Sequence, residues 1–171
     1  MILTYNSCRS TTSQFMREII LISFLGPDQP NQFTRLMQVL SVHSLQILDV
    51  GQAVIHNQLT LGIVVASDNE TATALAMKEI LILAHDIGLT VRFKPISNAE
   101  YEQWVSEGGR TRYIVTALAP ELTAAHLQAV TKIVSSQGFN IETVTRLSGR
   151  LDLQTDSPFP RRACVQFGLS G

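Results

Sequence analysis

Cysteine, charged residues and long apolar runs are all scarce in this chain of 171 residues, which has 2 cysteines and 16% charged residues. Two cysteines are too few for a disulfide framework, so a reducing compartment, the cytoplasm, is the expected location. No apolar run approaches the roughly 20 residues that a membrane-spanning helix needs. The net charge is −1 and the basic residues are scattered, which argues against nucleic acid and against an anionic membrane as partners.

Patterns of common catalytic and metal sites are missing as well. No two histidines have the spacing of a zinc site, and Gly108-Gly109 lacks the spacing and the Lys-Ser/Thr ending of a phosphate-binding loop. No close pair of carboxylates flanks a predicted strand in the manner of an acid–base dyad. The sequence therefore predicts no catalytic residue, no cofactor and no metal site within this chain.

The chain does contain an internal repeat. The apolar run Tyr113 to Leu118 falls on the apolar run Ile19 to Phe24 at a separation of 94 residues, and the register is expected to continue without a gap. The next element keeps the same separation, and its apolar residues Phe33, Leu36, Val39 and Leu40 align in order with Leu127, Val130, Ile133 and Val134. Such self-similarity predicts two domains of one fold.

The first copy reads as strand, helix, two strands, helix and strand. Its first strand ends before Asp28, which is expected to cap the following helix, with Pro30 in the first turn of that helix. A polar break at residues 56–58 predicts a hairpin, and a second helix and a last strand follow. We expect residues 1–15 to be a disordered tail and residues 16–97 to form a ferredoxin-like βαββαβ plait of the α+β class.

A linker and an incomplete second copy make up the rest of the chain. Ser97 and Glu100 have the spacing of a capping box, which predicts a linker helix in residues 98–109. Residues 110–171 then contain strand, helix and two strands, so the second plait (βαββ) lacks its last helix and strand. Its hairpin loop carries 10 additional residues relative to the first copy and is expected to be mobile.

An incomplete plait has physical consequences. In this fold the last strand pairs beside the first, so its loss should leave Tyr113 to Leu118 as an apolar, unpaired edge. Loss of the second helix should uncover part of one face of the sheet. We expect either sequence beyond Gly171 or another chain to provide the cover, and the first is the simpler expectation.

A binding site is expected at the loop after the first strand. The free amides and the positive dipole end of the following helix favour an anionic group such as an α-carboxylate, and nearby polar side chains could contact an amino group. The alternative, which is the commoner role, is that Asp28 only caps the helix and Asn31 is solvated. The candidate ligand-binding residues of the two copies are Gly26, Asp28, Gln29, Asn31, Gln46, Ile47, Asn140 and Ile141.

Several motifs resemble those of known regulatory proteins. The two tandem plaits resemble ACT domains, which are small amino-acid-binding regulatory modules. The motifs that carry this resemblance are Gly26-Pro27-Asp28-Gln29-Pro30 and Gln46-Ile47-Leu48-Asp49-Val50-Gly51-Gln52. Further matches are Met16-Arg17-Glu18-Ile19, Val91-Arg92-Phe93 and Arg146-Leu147-Ser148-Gly149-Arg150. Together they resemble the N-terminal region of bacterial phosphoserine phosphatases, in which two ACT domains precede a haloacid-dehalogenase-type catalytic domain.

The resemblance implies a function for the longer protein. That function is hydrolysis of O-phospho-L-serine to L-serine and phosphate, through an aspartyl-phosphate intermediate with magnesium. The nucleophile motif Asp-x-Asp-x-Thr/Val does not occur here, so the chain is expected to be inactive alone. Its implied role is to bind L-serine or a related amino acid, with a homodimer formed through the ACT domains.

The chain departs from the ACT pattern at both loops. Asn31 stands where ACT domains usually have glycine, and Leu122 stands in the second copy where the first has Asp28. Gln46 and Asn140, which begin equivalent predicted strands, match each other better than the two loops do. Two other hypotheses stay open: a stand-alone tandem ACT regulator resembling the glycine cleavage system regulator, and an assembly module that binds no ligand.

Overall fold

A computed structural model describes residues 17–149 and 163–171 of the chain. The predicted disordered tail, residues 1–15, and the additional residues of the predicted hairpin loop lie outside these described residues. The chain divides into two compact units, with the boundary between Trp104 and Val105. Each unit is described by itself.

Unit 1 is a complete plait. Its elements are β1 (Glu18–Pro27), α1 (Gln32–Val42), β2 (Gln46–Ile55), β3 (Gln58–Ser67), α2 (Glu70–Asp86) and β4 (Thr90–Ile96). The four strands form one antiparallel sheet in the order β2-β3-β1-β4. The predicted βαββαβ order is confirmed, and a further helix α3 (Asn98–Glu107) begins where the linker helix was expected.

The core of unit 1 lies between one face of the sheet and the two helices. Along β3 the alternate residues Leu59, Leu61, Ile63 and Val65 are all at most 2% exposed, which is the period of two of a strand with one buried face. From the helices, Leu36 of α1 and the small residue Ala76 of α2 are both fully buried.

Some helices have side-chain N-caps, whereas the cap predicted for α1 is wrong. Asn69 and Thr123 each accept a hydrogen bond from a backbone N–H three residues ahead, at 3.0 and 3.2 Å, as N-caps do. Asp28, in contrast, caps nothing: α1 begins at Gln32, its N-cap position is Asn31, and no side chain caps it. Pro30 therefore lies before the helix rather than in its first turn.

Unit 2 has the predicted βαββ order. Its elements are β5 (Arg112–Ala119), α4 (Ala124–Ser136), β6 (Asn140–Arg146) and β7 (Ala163–Ser170). Within the described residues its sheet has three strands in the order β5-β7-β6, so β5 has one neighbour and lies at an edge, as predicted. A smaller core gathers around Val134, Val165, Phe167 and Leu169.

The predicted constant separation of 94 residues between the two copies is wrong by one residue on β5. Ile22 of β1 pairs with Ile63 of β3, and Val115 of β5 pairs with Phe167 of β7. Ile63 and Phe167 hold equivalent places in the two sheets. β5 therefore follows β1 at a separation of 93 residues rather than 94. The separation returns to 94 in α4 and β6, where Leu40 and Val134 are equivalent buried residues. One additional residue in the loop after β5 accounts for the difference.

The one-residue shift decides which face of β5 is buried, because side chains alternate along a strand. Ile114 and Leu118 align with buried positions of β1 at a separation of 94, yet they are 71% and 69% exposed. Ala117 instead packs against the core of unit 2, and Tyr113 contacts Phe139 with ring centroids 5.1 Å apart.

Two kinds of structural feature are absent from the described residues. Within residues 17–149 and 163–171, no helix has the length and apolar character needed to cross a membrane. The same residues contain no group of three or more histidine, cysteine, aspartate or glutamate side chains placed to hold a metal ion.

The capping box at the start of α3 generates a pH prediction. The Glu100 carboxylate accepts hydrogen bonds from the Ser97 backbone N–H and from Ser97 Oγ, both at 2.8 Å, and Ser97 Oγ accepts from the Glu100 N–H at 3.2 Å. The backbone and side-chain hydrogen bonds from Ser97, with a smaller contribution from the Lys94 charge, lower the pKa of Glu100 below its ordinary value of 4.5.

Because the folded-state pKa is depressed, this capping contribution is present above the unfolded pKa and is lost as the pH falls through the folded pKa. We expect an NMR titration of the Glu100 carboxyl carbon to have its midpoint below 4.5, with the Ser97 amide shift following the same curve. Glu100→Gln should remove that acid transition from the Ser97 amide. A midpoint at or above 4.5 would contradict the capping geometry.

Candidate functional site

The loop between β1 and α1, residues 28–31, is held at one end of the sheet of unit 1. The backbone N–H of Asp28 donates to the carbonyl oxygen of Asn57 at 2.9 Å, which ties the loop to the turn between β2 and β3. His56 and Asn57 in that turn have φ angles of 48° and 61°, as a two-residue hairpin of the type I′ class requires. The side chains of Asp28, Gln29 and Asn31 are exposed beside this turn.

Gln32 is the residue that organises this loop, and the sequence analysis missed it. Its side chain is 4% exposed, donates from Nε2 to the carbonyl oxygens of Pro27 at 3.1 Å and Ile87 at 3.3 Å, and accepts from the Gln29 N–H at 3.0 Å. All of its polar atoms are therefore used within the protein. Its place at the first position of a helix is the only sequence signal, and that signal does not distinguish it from an exposed glutamine.

Gly26 has a structural reason to be glycine. A Cβ atom at this position would lie 2.7 Å from the carbonyl oxygen of Gly88 and 2.8 Å from Cδ2 of Leu89, closer than real Cβ atoms come. The end of β1 thus packs directly against the two residues that precede β4. Gly26 shapes the base of the loop rather than offering a polar contact.

Gln46 and Ile47 lie at the opposite end of the sheet from the loop. Gln46 pairs with Ala66, which also pairs with Ile19, whereas Gly26 at the end of β1 pairs with Leu59. The seven residue steps along β1 from Ile19 to Gly26 span about 23 Å. One small ligand cannot contact both Asp28 and Gln46 within unit 1, so the structure does not bring the predicted residues of the first copy together.

A separate cleft opens beside Gln46. Its volume is about 530 Å³, and its lining includes Arg17, His43 and Asp68. Arg17 donates from Nη2 to Oε1 of Gln46, and its Nε lies 4.0 Å from Oδ1 of Asp68. The Gln46 side chain is therefore engaged by Arg17 in unit 1.

The N-terminus of α1 differs from those of the other described helices. The side chains of Asn69, Ser97 and Thr123 bond to first-turn amides of α2, α3 and α4, whereas no side chain caps α1 and no acidic residue lies in its first turn. The N–H groups of a first turn have no intrahelical partner and carry partial positive charge. The start of α1 therefore offers donors to an acceptor from outside.

Comparison with protein families agrees with this architecture. The family model for the ACT domain matches residues 18–94, which is nearly all of the βαββαβ plait of unit 1. Unit 1 is an ACT domain. Asn31, in the loop before α1, has a φ of 66°, a left-handed conformation that asparagine enters more readily than most residues.

The chain is also similar to part of a known enzyme. It is 29% identical over 130 residues to phosphoserine phosphatase SerB2 from Mycobacterium tuberculosis, a match that covers 75% of this chain and 31% of that enzyme. The chain therefore spans about a third of the curated relative that it matches.

Two solved structures share the fold of most of the chain. A protein of unknown function from Galdieria sulphuraria and a candidate glycine cleavage system transcriptional repressor each give a TM-score of 0.61, at 14% and 10% identity. Each comparison covers 90% of this chain and 80% of the other. At these identities the likeness concerns the fold alone.

The second unit reproduces the strand start that carries Gln46 and Ile47 and differs at the loop before the helix. Asn140 and Ile141 begin β6 as Gln46 and Ile47 begin β2, and both strands have a bulge one residue further on. Asn140 is exposed, whereas Ile141 packs against the core of unit 2. In the loop before α4, Thr123 caps the helix, so the first turn of α4 is less open to a ligand than that of α1.

Gly26→Ala should destabilise unit 1. The added methyl group would meet the Gly88 backbone, which cannot move aside as a flexible side chain could, so we expect a loss of about 1–3 kcal/mol in the free energy of unfolding. Gly51→Ala is the matched control, because a Cβ at Gly51 has no atom within 4 Å and the change should stay within about 0.5 kcal/mol. Urea unfolding measures both, and equal midpoints for the two variants would refute the close approach.

Gln32→Leu should loosen the loop. The apolar side chain leaves Pro27 O, Ile87 O and Gln29 N–H without their partner, at a cost of about 1–3 kcal/mol in unfolding free energy. Hydrogen exchange at the Gln29 amide should become faster. Gln38→Leu, at an exposed position of the same helix, should change neither quantity. Unchanged exchange at Gln29 in the Gln32 variant would show that the loop is held by something else.

Proposed function

We propose that this chain is an amino-acid-binding regulatory region of a cytoplasmic phosphoserine phosphatase. The observation that carries the proposal is the 29% identity to a phosphoserine phosphatase over 75% of the chain, together with the ACT match in unit 1. Hydrolysis of O-phospho-L-serine to L-serine and phosphate is then assigned to the longer protein. The catalytic residues and the magnesium ion that they require would lie outside this chain.

L-Serine is the proposed ligand, because it is the product of that reaction and matches the chemistry of the loop. Its α-carboxylate would accept hydrogen bonds from the uncapped first-turn amides of α1, where a negative charge also interacts favourably with the helix dipole. Its ammonium group would lie near the exposed Asp28 carboxylate. The αL backbone of Asn31 leads into that first turn.

A second copy of the chain would complete the site. β2 is an edge strand with exposed apolar side chains, including Val50 at 48% and Ile55 at 77%, and such an edge favours strand pairing. If the β2 strands of two copies pair antiparallel, the beginning of one strand lies beside the end of the other. Gln46 of the second copy would then approach the Asp28 loop, which is tied to the end of β2 through Asn57.

This arrangement explains why the predicted residues lie at two ends of one unit. It also links ligand binding to assembly, because a ligand that contacts both copies stabilises the dimer by mass action. The competing function is assembly without a ligand, which would use the same edge strand and leave the loop empty.

Calorimetry and thermal unfolding with L-serine test the ligand. Saturating L-serine should raise the melting temperature, since a ligand at 100 times its Kd stabilises by about 2.7 kcal/mol. Asp28→Asn should abolish the shift because it removes the charge that faces the ammonium group. Asp86→Asn, a change at another exposed carboxylate of unit 1, should retain it.

Sedimentation of the same samples tests the dimer. L-Serine should increase the dimer fraction of the unmodified chain, and Val54→Lys in the exposed edge of β2 should reduce it. D-Serine serves as the ligand control. No heat and no melting shift at millimolar L-serine, with a dimer still present, would favour the ligand-free assembly module. Turnover of phosphoserine by the pure chain would contradict the proposal that the catalytic residues lie outside it.

A further inference from the structure

Arg17 and Gln46 meet at the end of the sheet where β1 and β2 begin. Arg17 immediately precedes β1, Gln46 is the first residue of β2, and Arg17 donates a hydrogen bond from Nη2 to Oε1 of Gln46. A guanidinium group has only donors, so the carboxamide atom that faces it must be the oxygen. The two N–H groups on Nε2 of Gln46 therefore do not face Arg17.

A second contact holds the Arg17 guanidinium. Its Nε lies 4.0 Å from Oδ1 of Asp68, which follows the last residue of β3, and the two side chains are 41% and 69% exposed. An exposed ion pair of this kind contributes little to stability. Its effect is on geometry: because β3 lies between β1 and β2, Arg17 spans the end of the sheet and fixes one of the two orientations of the Gln46 carboxamide.

The nitrogen of the Gln46 carboxamide is left to an outside partner. Within residues 17–149 and 163–171, the hydrogen bond from Arg17 is the one that this side chain makes, and Gln46 is exposed. Gln32, in contrast, is buried and uses both its oxygen and its nitrogen within the protein. Gln46 thus presents two N–H donors, while its acceptor is engaged by a cation.

We propose that Arg17 is a positioning residue of the amino-acid site, which it makes selective for a ligand side chain that carries a hydrogen-bond acceptor. The inference rests on the proposed function, in which Gln46 of a second copy approaches the Asp28 loop. In that arrangement the α-carboxylate faces the first turn of α1 and the ammonium group faces Asp28. The side chain of the ligand is then the group that remains for the N–H donors of Gln46.

Small amino acids differ in what they offer to Gln46. The hydroxyl group of L-serine both accepts and donates, so it fits either orientation of a carboxamide. The ether oxygen of O-methyl-L-serine only accepts, so it fits only the orientation that Arg17 imposes. The methyl group of L-alanine does neither. O-Methyl-L-serine is therefore the ligand that reports the orientation of Gln46.

Calorimetry with L-serine and O-methyl-L-serine tests the role of Arg17 in the full chain. Arg17→Glu replaces a group that only donates by one that only accepts, so Gln46 should turn Nε2 toward the new carboxylate and Oε1 toward the ligand. The affinity for O-methyl-L-serine divided by that for L-serine should then fall by about tenfold, which corresponds to loss of one hydrogen bond of about 1.4 kcal/mol. A general loss of structure would weaken both ligands and leave the ratio unchanged.

Two variants and one ligand serve as controls. Arg17→Lys keeps a side chain that only donates, so it should keep the affinity ratio of the unmodified chain. Lys78→Glu makes a charge reversal of the same size at an exposed position of α2 and should also keep that ratio. L-Alanine should bind the unmodified chain about tenfold more weakly than L-serine, because it offers no acceptor.

An NMR measurement observes Gln46 without any ligand. In the unmodified chain, the side-chain N–H protons of Gln46 should exchange with water as fast as those of Gln38, an exposed glutamine of α1. In Arg17→Glu, one of the two Gln46 protons should exchange more slowly, because it is donated to the new carboxylate. The side-chain signals of Gln38 should not change.

The outcomes separate this inference from the proposed function. Binding of neither ligand by the unmodified chain would refute the amino-acid site itself and would overturn the role of Arg17 with it. If L-serine binds, three results would each overturn the role of Arg17 alone. They are no binding of O-methyl-L-serine to the unmodified chain, an affinity ratio that Arg17→Glu does not lower, and Gln46 proton exchange that Arg17→Glu does not slow.

Discussion

The antiparallel pairing of β1 with β3 is the interaction on which the rest of unit 1 depends. Ile22 lies opposite Ile63 and Phe24 opposite Leu61, and all four side chains are at most 1% exposed. Because side chains alternate along each strand, this register turns the core residues toward the helices and places the loops at the two ends of the sheet. The separation of the β1–α1 loop from the start of β2 follows directly, and with it the need for a second chain if one ligand is to contact both.

Unit 2 is built on the same pairing but with fewer neighbours. β5 pairs with β7 as β1 pairs with β3, yet within the described residues nothing in its sheet takes the place of β4. The core is correspondingly smaller, and apolar side chains such as Ile114 stay exposed. Unit 1 therefore serves as a template for unit 2, and only the contacts made by α2 and β4 have no counterpart within the described residues of unit 2.

The parts of the fold that could be predicted from the sequence are those governed by nearby residues. The start of the linker helix was found because the capping box joins Ser97 to Glu100, only three residues away. The order of strands and helices was found from the period of the apolar residues. Asp28 was assigned wrongly as a cap because the loop is organised by Gln32, whose bond to Ile87 spans 55 residues. The register of β5 was missed because its residues are apolar on both faces, so alternation could not reveal a shift of one residue.

The sequence by itself determined the two-unit organisation, the βαββαβ and βαββ orders and the ACT character of residues 18–94, since these depend on local periodicity, turn residues and motifs. Only the tertiary structure decided which face of β5 is buried, why Gly26 must be glycine, and that Asp28 and Gln46 lie at opposite ends of the sheet. Those three features depend on pairing between strands far apart in the chain, and such pairing sets distances that no local pattern encodes.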